Sequence, residues 1–239
     1  MNLSGTSEVL GLISAIRNPV PGIITFPTWR GITLHAAPTQ AGGASLDWLG
    51  RIMGQGAGAL SELAQGQITA ATPLFLPHLA GERAPLWDTQ ARGVFAGLSG
   101  ATNAQDMVLS VMEGVACSAR LALESLEAAG GVSPAVIRLG GGGTASDVWC
   151  QIRANMLGRE MLRMQAQDAG AVGAMVMAGV GAGVMRDLAS AASMLVPVDR
   201  RFLPVPAMRG LADRRYAIWK DLYQQVRPIN AALHDLVGH

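Results

Sequence analysis

Cysteine is scarce in this chain: Cys117 and Cys150 stand far apart and form no CxxC pair. That excludes a disulfide scaffold and a thiolate zinc site, and His35, His78, His234 and His239 show no ligand spacing that would replace it. Charge is also scarce, at 15% of residues, and nearly balanced at a net +1. No general attraction to polyanions follows, so nucleic acid and anionic membrane surfaces are not expected partners, and an anionic ligand must be held locally. The start, MNLSGTSEVLGLIS, has neither the basic n-region nor the apolar h-region of a signal peptide. With two unpaired thiols, this leads to the expectation of a cytoplasmic protein. One uncharged run has to be weighed as a membrane span, the seventeen residues from Ala169 to Met185. It is mostly Ala and Gly and falls short of the ~20 apolar residues of a spanning helix, so a small-residue helix packed on a sheet is expected instead.

What the chain has is apolar mass. Half of its 239 residues are hydrophobic, enough for a substantial core, and no repeat, low-complexity tract or linker divides it. From Met1 to about His35, short apolar runs broken by turn formers read as a hairpin or meander. Leu46, Leu49, Ile52 and Met53 then fall on one side of an amphipathic helix, and GALSELAQG reads as a second, short helix ending at Gly66. The segment from Thr72 to Gly100 reads as strand, irregular loop and strand. Its loop concentrates Glu82, Arg83, Asp88 and Arg92 in a chain otherwise poor in charge.

Asn103 as N-cap, Asp106 in the first turn and a Gly-Gly stop bound the longest helix. After it the chain alternates: AVIRL (strand), a run of four glycines, SDVWCQIRANMLG (helix), EMLRMQ (strand), AGAVGAMVMAGVGAG (helix). One strand and one helix thus separate that glycine unit from the tail. The tail is a terminal helix whose Tyr216, Trp219 and Tyr223 form an aromatic stripe expected to be core. The alternation predicts a sheet covered by helices.

The run Gly140 to Gly143, with Ser146 as a cap, sits where strand gives way to helix. The first N–H groups of a helix lack internal partners and carry partial positive charge, so an anion or nucleotide can approach a backbone cleared of side chains. Tight strand–helix packing accounts for such a run equally well. Ser4-Gly5-Thr6-Ser7 is a hydroxyl-bearing turn between two apolar runs that suits phosphate oxygens, though such turns are usually only turns. Gly140, Gly142 and Ala145 also satisfy the GxGxxG/A dinucleotide pattern with Asp168 downstream. That reading is disfavoured, because a dinucleotide domain continues into more parallel strands than the chain has left.

Taken in order, LSGTSEVLGL, GGASLDWL, FLPHLAGERAPLWDTQARGVFAGL and GGGGTASDVWCQ followed by DAGAVGAMVMAGVGAG resemble the motif series of the FGGY carbohydrate kinases, in their C-terminal domain and most closely in xylulokinase-like members. The resemblance spans nearly the whole chain, 1–239. It implies an α/β domain of the actin-like ATPase, ribonuclease H-like fold, a mixed sheet flanked by helices. It further implies ATP and Mg²⁺ as cofactors and phosphorylation of a hydroxyl on a ketopentose or related sugar or polyol.

Carried over by position, the ATP-binding residues are Gly5 and Thr6 on the phosphate side, Gly43 and Asp47 along the nucleotide, and Gly141, Gly142 and Ser146 against the adenosine. Asp168 stands where the family more often has Glu. The sugar contacts, an Asp-x-Gly-Thr phosphate loop and the catalytic aspartate precede this segment in the family, so no catalytic residue and no metal ligand is assigned here. The implied partner is an amino-terminal kinase half or, failing that, a second copy covering an exposed, partly apolar face. A stand-alone nucleotide-binding or structural module is the alternative.

Overall fold

Strict alternation over Thr33–Pro38, where buried and half-covered residues take turns, makes that segment a strand with one face on a core. It anchors a meander. The computed structural model of the chain describes residues 1–165 and 168–237, so His239 lies outside the described residues. Strands β1 (Asn2–Ser4), β2 (Glu8–Ser14), β3 (Ile24–Thr25) and β4 (Thr33–Pro38) come first, followed by helices α1 (Gly43–Met53) and α2 (Ala57–Leu63). Strands β5 (Leu74–Leu76) and β6 (Val94–Ala96) pair as a separate ribbon flanking the charged loop. Then come α3 (Ala104–Gly130), β7 (Val136–Gly140), α4 (Asp147–Leu157), β8 (Glu160–Met164), α5 (Ala169–Gly181), α6 (Leu188–Leu195), β9 (Val198–Phe202) and α7 (Arg209–Val237).

Among the described residues the main sheet has seven strands in the order β3-β4-β2-β1-β7-β8-β9. β1 runs antiparallel to β2 but parallel to β7, and β7 parallel to β8. Since β4 is also antiparallel to β2, the strands β1, β4, β7 and β8 all end at one edge of the sheet. That edge therefore collects the Gly5–Thr6 turn, the entry to α1 and the glycine run, and in open α/β sheets it is where ligands bind.

α3 is the central prop. Its N-terminus carries the capping box foreseen in the sequence, with Asp106 N–H donating to Asn103 Oδ1 (3.1 Å) and Asn103 N–H to Asp106 Oδ2 (3.0 Å). Gly131, at φ 64°, closes its other end in the left-handed conformation. α4 lies along α3, and α7 packs across α4 and β5, burying Tyr216, Trp219 and Tyr223. The aromatic stripe of the tail is core, and Trp219 Nε1 donates to Phe75 O (2.9 Å).

Two expectations need correction. Between α5 and the tail lie a further helix, α6, and a further strand, β9, which adds to the sheet antiparallel to β8. The Ala/Gly helix α5 is not packed closely on the sheet: it pairs with α6, and of its residues only Val176 is buried. Apolar all round, α5 exposes a hydrophobic surface whichever face it packs. Met175 (47% exposed) and Met177 (63%) are the clearest examples, and Met194 (73%) is likewise exposed on α6. None of the described helices is long and apolar enough to cross a membrane.

The glycine run meets β1 closely. A Cβ on Gly141 (φ 90°) would lie 2.4 Å from Ser4 O and one on Gly143 2.3 Å from Ser4 Oγ, whereas one on Gly142 would meet nothing within 4 Å. Ser4 cannot yield: its hydroxyl donates to Glu8 Oε1 (2.8 Å) and accepts from Arg153 Nη2 (2.8 Å).

Replacing Gly143 by Ala is therefore expected to cost about 2–3 kcal/mol in denaturant unfolding, while Gly142→Ala stays within about 1 kcal/mol of the parent. Equal effects would contradict the assignment of Gly143 to packing. Cys117 and Cys150 are both free and fully buried, and burial pushes both thiols up, that of Cys117 well above its ordinary value. Thiolate is the reactive form, so neither is expected to be alkylated in the native protein at neutral pH, and both in urea. Fast native labelling read by mass spectrometry would contradict this.

Candidate nucleotide-binding site

The shared strand edge opens into a hollow of about 500 Å³. Six of the seven residues singled out in the sequence line it: Gly5 and Thr6 from the β1–β2 turn, Gly43 and Asp47 from α1, and Gly142 and Ser146 from the glycine loop. Gly141 lies one step away, in the wall of an adjoining hollow of about 430 Å³ that also includes Arg163 and Asp199. The sequence reading missed the opposite wall, formed by Ala57, Gly58 and Ser61 of α2, and the side chain of Trp149. Glycines at 56 and 58 weaken a short helix but do not mark it as a wall; only the structure shows that Gly58 has nothing within 4 Å of its Cβ position.

The Gly5–Thr6 turn is held from behind. Gly43 N–H donates to Gly5 O (2.8 Å) and Ala44 N–H to Thr6 O (3.0 Å), so the first amides of α1 secure the turn and are not left for an anion. Gly42 allows this closeness, since a Cβ there would lie 2.6 Å from Ser7 Cα. Within the turn, Gly5 N–H closes on Ser7 O (2.9 Å). The N–H groups of Thr6 and Ser7 have no protein acceptor among the described residues, and with the exposed Thr6 hydroxyl they are donors suited to phosphate oxygens.

The glycine loop is a 3-10 turn over Gly142–Thr144. Thr144 fastens it by donating both N–H (3.1 Å) and Oγ1 (2.7 Å) to Gly141 O. Ser146 caps α4, accepting from Trp149 N–H (3.3 Å). Trp149 Nε1 donates to Met112 O (3.0 Å), fixing the indole between α3 and the hollow.

Behind both arms sits Arg153, completely buried. Its Nη2 reaches Glu8 Oε1 (2.5 Å) and Ser4 Oγ (2.8 Å), its Nη1 reaches Gly143 O (3.5 Å), and its guanidinium lies 4.2 Å from the Trp149 ring centre. Asn2 Nδ2 donates to the other Glu8 oxygen (3.2 Å). One buried ion pair thus ties the turn, the glycine loop and α4 together.

Among the described residues Asp47 is the only charged side chain lining the hollow. A phosphate there meets backbone and hydroxyl donors, while a carboxylate on α1 suits the hydroxyls of a ribose. Asp168, weighed as a ribose acid, instead caps α5 by accepting from Ala171 N–H (2.9 Å). Glu82 and Arg83 are absent from the lining. A third, narrower hollow of about 240 Å³ lies on the far side of α4, between α3 and α7. Its charges, Glu113 and Arg215, satisfy each other bidentately (2.7 and 2.5 Å), so it offers no free charge to a nucleotide.

Known proteins resemble this chain in sequence and in fold. A xylulose kinase of Staphylococcus epidermidis is 30% identical over 198 residues, covering 82% of this chain and 40% of that protein. A glycerol kinase of Geobacter sp. (strain M21) is 33% identical over 212 residues, covering 88% and 41%. Among solved structures, xylulose kinase from Rhodospirillum rubrum superposes with a TM-score of 0.85 at 26% identity, over 96% of this chain and 48% of that one. The chain therefore spans less than half the length of these relatives, whose fold is the actin-like ATPase fold. Residues 1–182 match the FGGY family of carbohydrate kinases, C-terminal domain, and the chain belongs to that family.

Proposed function

We propose that this chain is the nucleotide-binding half of a cytoplasmic sugar kinase that transfers the γ-phosphate of ATP to a hydroxyl of a ketopentose or related sugar or polyol. The observation that carries the reading is the pairing, across one hollow, of a donor-bearing turn at Thr6 with an unobstructed backbone at Gly142. In this reading Thr6 and the free amides beside it take the phosphates, Asp47 takes ribose hydroxyls, and Gly141, Gly142 and Ser146 lie against the adenosine. No residue of this chain is assigned to hold Mg²⁺, which, bound with the nucleotide, would lower the charge on its phosphates.

Phosphoryl transfer needs a base for the attacking hydroxyl in addition to positioning. Glu8, the first carboxylate of the chain, is 1% exposed and committed to Arg153, and Asp47 lies on the nucleotide wall. The base and the sugar site are therefore assigned to an amino-terminal kinase half, for which the exposed apolar surface of α5 and α6 is the natural contact.

Calorimetry with Mg-ATP is expected to show weak binding, on the order of millimolar because half the cleft is supplied elsewhere. Gly142→Val should abolish it without unfolding the chain. Binding indifferent to that substitution would contradict the site. In a coupled assay the chain alone should turn over neither xylulose nor glycerol, and turnover above contaminant level would refute the division of labour.

A further inference from the structure

The charged loop between β5 and β6 takes no part in the hollow, yet it is built with unusual care. Glu82, 4% exposed, is a hub. Its Oε1 accepts from Arg83 N–H (2.8 Å) and from Gln40 N–H, and its Oε2 accepts from His78 Nδ1 (3.0 Å) and Ser118 Oγ (3.3 Å). Ala84 N–H donates to Pro38 O (2.9 Å), so the loop is stitched to the segment leading from β4 into α1. From this fixed base the Arg83 side chain extends to the phosphate-side turn. Its Nη2 donates to Thr39 O (2.6 Å) and to Ser7 Oγ (3.2 Å), spanning 76 residues of sequence to reach Ser7. Among the described residues Arg83 is the only hydrogen-bond partner of the Ser7 side chain.

We infer that Arg83 is a positioning residue for the phosphate side of the site, acting through Ser7 and Thr39 and not on the nucleotide itself. Where the turn runs into β2, Glu8 N–H donates to Ala41 O (3.0 Å) and Thr39 N–H to Glu8 O (2.9 Å); the turn itself has two further sets of supports. On its inner side the amides of Gly43 and Ala44 close on the carbonyls of Gly5 and Thr6, and Arg153 holds Ser4. On the outer side Arg83 joins Ser7 to Thr39, so that the Thr6 hydroxyl and the free amides of Thr6 and Ser7 keep one orientation toward the hollow. The glycine loop has its own fasteners, Thr144 and Arg153, and none of them runs through Arg83. Loss of Arg83 should therefore loosen the phosphate side and leave the adenosine side intact. This inference rests on the nucleotide reading above.

The test compares Arg83→Met and Ser7→Ala with the parent, using Mg-ATP and adenosine as separate calorimetric probes and amide exchange by NMR without ligand. Each variant is expected to weaken Mg-ATP about tenfold while adenosine changes less than about twofold. The double variant should lose no more than either single one, because both remove the same link. Without ligand, exchange should accelerate at Gly5, Gly43 and Ala44 and stay unchanged from Thr144 to Cys150. An equal loss for both ligands, or unchanged exchange at those three amides, would overturn the inference. If the parent binds neither ligand the nucleotide reading fails, and the exchange data alone decide whether Arg83 positions the turn. Should Arg83→Met fail to fold by circular dichroism, Ser7→Ala, which removes one hydroxyl, carries both measurements.

Discussion

The architecture of the site depends on one buried charge. Arg153 rises from α4 into the space between β1 and the glycine loop, where Glu8, Ser4 and the carbonyl of Gly143 receive it. A buried ion pair adds little net stability compared with a well-packed apolar pair, but removing one partner leaves the other charge stranded, at a cost of about 3–5 kcal/mol. The pair is therefore better understood as a locator. It fixes the distance between two backbone arms, each of which is too short and too glycine-rich to hold itself in place.

The glycines divide their work along the same line. Gly141 and Gly143 are small because Ser4 stands against them, and Ser4 is immobile because Glu8 and Arg153 hold its hydroxyl. Gly142, between them, is small with nothing in front of it. Close packing accounts for Gly141 and Gly143, and the proposed ligand access falls to Gly142. Packing at 141 and 143 is what presents 142 to the hollow.

Much of this was legible in the sequence, and the parts that were not have physical reasons. Elements with strong local signals were readable: the Asn103 capping box, the αL stop at Gly131, the aromatic stripe of the tail and the motif series behind six of the hollow's residues. The α2 wall was not, because Ala57, Gly58 and Ser61 contribute surface and backbone without chemistry that spacing can flag. α6 and β9 follow a run of small residues with weak periodicity. The roles of Arg153 and Arg83 were hidden for a third reason. Their partners lie 145 and 76 residues away in sequence, so only the fold brings them together.

In the proposed reading the hollow and the exposed α5–α6 surface have separate tasks: the charge-poor hollow takes the nucleotide, and the apolar surface takes a partner that covers it. Backbone amide shift mapping during an Mg-ATP titration tests the central claim, that both arms grip one nucleotide, most directly. The account requires simultaneous perturbation at Thr6, from Gly43 to Asp47, from Ala57 to Ser61 and from Gly142 to Ser146, with the hollow at Gly66, Ile68 and Arg215 silent. Shifts centred on that hollow between α3 and α7, or confined to one arm, would contradict it.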